Sequence, residues 1–109
     1  MTFDDCQKRA RACVVCPRVG ENFVYPSLGL ANEAGEVAGE VKRRLRDDGE
    51  VVTGERREKI KAELGNLLWC LSQLAAELGI SPDAVAENNI EKLSSRKERG
   101  VLRGSGENR

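Results

Sequence analysis

The chain contains no histidine. Imidazole catalysis and His-ligated metal sites are therefore excluded. Aromatic side chains are scarce, with one Trp, one Tyr and two Phe, so stacking on a ligand has few residues to draw on. Neither sign of charge is in excess: 18 Lys and Arg balance 18 Asp and Glu. That balance lacks the basic bias of a protein that clamps a nucleic-acid polymer. Basic residues cluster only locally, in Lys42-Arg43-Arg44-Leu45-Arg46 and Arg56-Arg57. No apolar run reaches the roughly 20 residues of a membrane-spanning helix, and no membrane partner is expected. Met1-Thr2-Phe3-Asp4-Asp5 lacks the basic-then-apolar layout of a secretory signal. A cytoplasmic location is the expectation.

Cysteine is present at four positions, Cys6, Cys13, Cys16 and Cys70. Cys13-Val14-Val15-Cys16 has the spacing of a metal-ligand pair, but no second pair accompanies it, and a structural zinc site takes four ligands. Small, partly buried thiols are the simpler reading. A zinc site shared between two copies is the one arrangement that stays open.

The length, 109 residues, suits one domain. Four helices are legible in it, and no strand. The first spans about Phe3 to Ala12, with Thr2 as N-cap and Asp5 three residues on, resembling a capping box. This helix and an irregular connector with two prolines and Gly20 fill residues 1–24. The second helix runs from about Ser27 to Arg46 and the third from about Glu55 to Leu78, with Gly79 following as its C′ residue. The fourth has the clearest start, Ser81 as N-cap before Pro82 and Asp83, and ends before Gly100. Residues 100–109 form a polar, glycine-rich tail.

Two phrases in these helices carry the chemistry: Glu33-Ala34-Gly35-Glu36 and Glu63-Leu64-Gly65-Asn66. Positions i and i+3 share a helix face. With Glu33 set at zero on a helical wheel, Leu30, Ala34, Val37, Val41 and Leu45 fall at about 40–120°. With Glu63 at zero, Ile60, Leu64, Leu67, Leu71, Leu74 and Leu78 fall at about 20–100°. Both helices thus carry an apolar stripe with a polar flank on the same side. Packed together, they would bring Glu33, Glu36, Glu63 and Asn66 toward one point. Carboxylates at the edge of a core need a cation or donors, and four oxygen ligands suit a hard divalent ion such as Mg²⁺, with Mn²⁺ as a possible substitute. The alternative is two solvated Glu pairs on helix surfaces; the repeated layout favours a site.

The backs of these helices also read as covered. Gly35 and Gly39 lie opposite the carboxylates, and each costs about 1 kcal/mol in a helix interior, which close approach of another helix would offset. The third helix is apolar nearly all round from Leu64 to Ala76, the mark of a buried helix. One chain of four short helices can hardly bury it, so a dimer or higher oligomer is expected, with Trp69 near the contact. On the fourth helix Asn89, Lys92 and Arg96 share one arc. Alone they read as a solvated basic face; beside an acidic site they read as ligands for a polyphosphate.

Tyr25-Pro26-Ser27-Leu28-Gly29-Leu30, Glu33-x-x-Glu36, Glu63-Leu64-Gly65-Asn66-Leu67-Leu68, Asn89-x-x-Lys92 with Arg96, and the tail through Gly104-Ser105-Gly106-Glu107-Asn108-Arg109 together resemble the MazG-like nucleotide pyrophosphohydrolases. These belong to the all-α NTP pyrophosphatase superfamily, whose pattern is ExxE followed by ExxD. The resemblance covers about Asn22 to Arg109. It implies a four-helix bundle assembling as a homodimer or homotetramer, and Mg²⁺-dependent cleavage of a (d)NTP to monophosphate and pyrophosphate. It also implies Glu33, Glu36 and Glu63 as catalytic metal ligands, Asn66 as a fourth ligand, and Asn89, Lys92 and Arg96 on phosphate. Tyr25 and Trp69, with Phe23, are candidates to stack on the base. One departure stands out: Asn66 occupies the position of the family Asp. A neutral amide should weaken metal binding, and it leaves room for an alternative, a nucleotide-binding or partner-binding helical module with reduced turnover.

Overall fold

The computed structural model describes residues 1–109 and contains four α-helices and no strand. Helix α1 is Phe3–Arg11, α2 Val24–Asp47, α3 Gly54–Glu77 and α4 Pro82–Glu98. None of them is long and apolar enough to cross a membrane. Side-chain caps set three of the four helix starts. Thr2 closes α1 with a reciprocal capping box to Asp5, Thr53 accepts from the Arg56 N–H at the start of α3, and Ser81 accepts from the Ala84 N–H at the start of α4.

Helix α2 begins three residues earlier than the sequence suggests. Pro26 lies in its first turn, where the missing N–H would have had no intrahelical partner. Asn22 prepares this start by accepting from the Tyr25 N–H at 3.2 Å.

Helices α2 and α3 form an antiparallel hairpin, and α2 packs on α3 alone. Asn22 meets Glu77 and Gly29 meets Cys70, so paired residue numbers sum to 99. On the helical wheel Asn22, Gly29 and Glu40 all lie within about 40° of Glu33, and Arg56, Cys70 and Glu77 within about 40° of Glu63. The two glutamates therefore mark the centre of the seam rather than its edge. Its flanks become two different faces. One carries Tyr25, Asn32, Glu36, Asn66 and Trp69. The other carries the two apolar stripes side by side.

Buried ionic contacts lock both ends of this seam. At the loop end, the Arg56 guanidinium donates to Asp48 at 2.8 Å and to Glu40 at 2.6 Å, with all three side chains largely buried. These hydrogen bonds hold both carboxyls below their usual range and raise the guanidinium's affinity for its proton. At the other end, the Glu77 carboxylate is 1% exposed and accepts from the backbone N–H groups of Gly20 and Asn22 and from Arg11. The Gly20 bond contributes most to its lowered pKa.

Helices α1 and α4 cover only the C-terminal half of α3. Their N-termini join reciprocally: Asp83 accepts from the Phe3 and Asp4 N–H groups, and Asp4 accepts from Ser81 Oγ and the Asp83 N–H. Gln73, fully buried, donates to the Gln7 carbonyl and accepts from Arg11. The apolar face beyond them stays open, with Val41, Leu45 and Leu64 between 41% and 52% exposed. Cys70 and Ala75, with the prolines Pro26 and Pro82, are the only buried apolar residues. The radius of gyration, 16.9 Å, exceeds the roughly 13 Å of a compact chain of this length. The accessible surface, 7733 Å², exceeds the scaling value for its mass by about 1,700 Å².

Gly35 and Gly65 face open space, and Gly39 meets only the side chain of Arg43. The covering helix expected behind these glycines is not supplied by this chain.

Candidate functional site

The α2–α3 register sets Glu33 opposite Asn66 and Glu36 opposite Glu63. Glu33 and Asn66 both line a cleft of about 500 Å³, together with Tyr25, Leu28, Gly29, Asn32, Trp69 and Cys70. Its size suits a nucleoside-sized ligand. Glu33, Asn66 and two of the three aromatic candidates thus share one concavity, although they come from segments some 40 residues apart in sequence, while Glu36 and Glu63 lie outside its lining. Phe23 is half exposed and lies outside its lining.

Gly29 keeps the cleft floor passable. An added Cβ at this position would lie 2.9 Å from Cys70 Sγ, so the glycine permits close approach of the two helices. Cys70 is 5% exposed, and burial, with the Glu33 charge second, pushes its thiol pKa up. The thiol is therefore held protonated and is a poor nucleophile.

The donor set around the seam is all oxygen: three carboxylates and one side-chain amide. That chemistry fits a hard divalent cation. The side chains are not drawn together, since no three Cys, Asp or Glu groups stand at metal-holding distance. Instead Asn66 Nδ2 donates to Glu63 Oε2 at 3.2 Å. The Asn66 amide thus spends its donor on the neighbouring carboxylate, and the opposite amide orientation would present Oδ1 in the same place.

The basic residues of α4 are not beside this site within one chain. Helix α4 touches α1 and α3 but not α2. Asn89 and Lys92 line a separate groove with Phe3, Leu68 and Leu71, on the other flank of α3. Lys92 and Arg96 are engaged by Glu107. The convergence of acidic and basic clusters suggested by the sequence is absent from the single copy, because α4 leaves α3 on the flank away from the cleft.

Cys13 and Cys16 lie in the turn after α1, exposed and half-buried respectively, with free thiols. Composition gave no sign of the ionic anchors Arg56 and Glu77. Their only sequence signal is position, at the two ends of the carboxylate line on the same helix face.

Comparison with known proteins bears on this geometry. The family model of the MazG nucleotide pyrophosphohydrolase domain matches residues 27–101, which include both acidic motifs and all of α4. A relative from Mycobacterium phage L5, described as "Gene 37 protein", is 47% identical over 114 aligned positions that cover all of both chains. No solved structure gives a significant match. A helical hairpin with its paired acidic motifs in register, matched over most of its length by this domain, assigns the chain to the MazG nucleotide pyrophosphohydrolase family.

Proposed function

We propose that the protein is a Mg²⁺-dependent pyrophosphohydrolase that cleaves a (d)NTP between its α and β phosphates, giving (d)NMP and pyrophosphate, in the cytoplasm. The observation that carries this reading is the register: Glu33 faces Asn66 and Glu36 faces Glu63, and the first of these pairs lines the cleft with Tyr25 and Trp69.

Glu33, Glu36, Glu63 and Asn66 Oδ1 would hold Mg²⁺, or Mn²⁺ in its place. The bound ion supplies neutralisation of phosphate charge and a lowered pKa for an attacking water. A seam glutamate would be the base that accepts a proton from an attacking water. Tyr25 and Trp69 stack on the base, and Asn32 lines the same cleft beside Glu33 and Asn66. Lys92 and Arg96, aided by Asn89, take phosphate oxygens. Because one chain keeps these cations away from its own cleft, a second copy brings them to it. The open stripe of Val41, Leu45 and Leu64 supplies the contact for a homodimer or homotetramer. The surface excess of about 1,700 Å² is ample beside the roughly 800 Å² per partner of a standard interface.

The bond from Asn66 to Glu63 favours a second reading, a nucleotide-binding module of reduced turnover. One assay separates the two. With Mg²⁺ and a panel of (d)NTPs, pyrophosphate is the expected first product, and Glu36→Gln abolishes its release. Orthophosphate as first product overturns the reaction assigned here. If neither the natural chain nor Asn66→Asp turns over any triphosphate while both bind nucleotide, the second reading holds.

A further inference from the structure

The segment following α4 folds back onto that helix. Gly100 ends the helix with φ +70°, and the Val101 N–H donates to the Arg96 carbonyl. Gly104 and Gly106, at φ +127° and +90°, then turn the chain so that Glu107 returns to the α4 surface. Arg109 ties the turn together by donating from Nη1 to the Gly106 carbonyl at 2.7 Å.

Glu107 lands on the phosphate-ligand candidates. Its Oε1 accepts from Lys92 Nζ at 2.5 Å and lies 3.7 Å from Arg96 Nη2, which also donates to the Glu107 carbonyl. The two partners differ in burial. The Arg96 side chain is 5% exposed, whereas that of Glu107 is 72% exposed. A buried guanidinium requires an anionic or acceptor partner. An exposed carboxylate is held weakly and exchanges at little cost. Two further donors, Arg96 Nε on α4 and Arg109 Nε in the turn, are buried and have no hydrogen-bond partner.

We infer that Lys92, Arg96 and Arg109 form one phosphate clasp in which Glu107 is a displaceable internal stand-in for a phosphate group. A carboxylate offers two oxygens and one charge. A phosphate within a polyphosphate offers more acceptor oxygens, which the unpaired Nε donors match. The clasp rests on the reading of Lys92 and Arg96 as phosphate ligands. It adds Arg109 as a third ligand and makes Glu107 a competitor that the substrate's phosphates must expel, so the turn opens or reseats on binding.

The test uses the full chain and inorganic tripolyphosphate in the presence of EDTA, with affinity read by calorimetry and the Gly104 and Gly106 amides by NMR. Glu107→Gln is expected to tighten binding roughly 3–10-fold, because a competing charge is removed. Arg109→Ala is expected to weaken it roughly tenfold, and Arg109→Lys to restore part of the loss. Both glycine amides shift on addition of tripolyphosphate to the natural chain. An affinity unchanged or weakened by Glu107→Gln, or untouched by Arg109→Ala, overturns the clasp. A short single-stranded DNA binding as tightly as tripolyphosphate also overturns it, since the site would then be reading a nucleic-acid backbone. Pyrophosphate release from (d)NTPs is measured in parallel. Turnover with a Glu107-insensitive affinity sinks the clasp alone; a Glu107-sensitive affinity without turnover sinks the hydrolase reading alone.

Discussion

Gly29 and Cys70 face each other across the α2–α3 seam so closely that a methyl group on residue 29 would lie 2.9 Å from the Cys70 sulfur. Helix propensity and packing therefore oppose one another here. Gly→Ala in a helix interior gains about 1 kcal/mol, while overpacking a close contact costs about 1–3 kcal/mol. The Cys70 side chain is buried and has little room to turn away. Gly29→Ala is expected to lower the melting temperature despite its better propensity. Adding Cys70→Ala should recover the loss, and the double-mutant cycle should give a coupling of about 1 kcal/mol or more. Additive effects of the two substitutions would show that the seam relaxes freely at this level.

The Asn66 to Glu63 hydrogen bond makes the charge of the site adjustable by one unit. Three carboxylates and an amide hold a dication less tightly than four carboxylates. Asn66→Asp should raise Mg²⁺ or Mn²⁺ affinity by roughly tenfold, corresponding to about 1.4 kcal/mol for one added close charge at partly exposed positions. Manganese titration followed by electron paramagnetic resonance reads this without turnover. An unchanged affinity would remove Asn66 from the ligand set.

Much of this architecture was legible in the chain, for identifiable reasons. Ser81-Pro82 and Thr2 with Asp5 are local capping signals, and the structure uses them as such. The start of α2 was misplaced because Pro26 reads as a breaker, whereas a first turn tolerates proline. The apolar wheel suggested leucines at the centre of the α2–α3 contact with glutamates at its rim. The structure reverses this: Gly29, Cys70 and the Arg56 and Glu77 anchors set the rotation of the helices, and hydropathy encodes none of those contacts. The position of α4 was illegible from the wheel of α4 itself. The reciprocal Asp4 and Asp83 caps fix it against α1, 79 residues away in sequence.

The open apolar stripe makes a direct claim about assembly. Leu64 is 51% exposed on the face away from the cleft, and Val41 and Leu45 are exposed further along the same stripe. A charge placed there would be buried without a partner in any assembly that uses this face. Leu64→Glu is expected to convert a dimer or tetramer to monomer in sedimentation velocity. Glu21→Lys, exposed in the connector before α2, is the control that should leave assembly intact. A natural chain that sediments as a monomer while retaining turnover would refute the shared site.

Stability should depend on acid in a way that traces to Glu77. Its carboxylate is buried at the end of the seam, and the Gly20 N–H, then the Asn22 N–H and Arg11, hold its pKa below the ordinary 4.5. A carboxyl that releases its proton more readily when folded stabilises the fold above its unfolded pKa. That contribution fades as pH falls through the lower, folded value. Glu40, Asp48 and Asp5 are shifted the same way and add a common background. The difference between the natural chain and Glu77→Gln therefore isolates the one group. The variant should melt well below the natural chain at neutral pH, because the backbone donors of Gly20 and Asn22 lose a charged acceptor. The gap should stay constant down to about pH 4.5 and narrow progressively below it. Thermal scans of both proteins by circular dichroism across that range measure this directly. A gap that stays constant into strong acid would mean that Glu77 contributes through packing rather than through its charge.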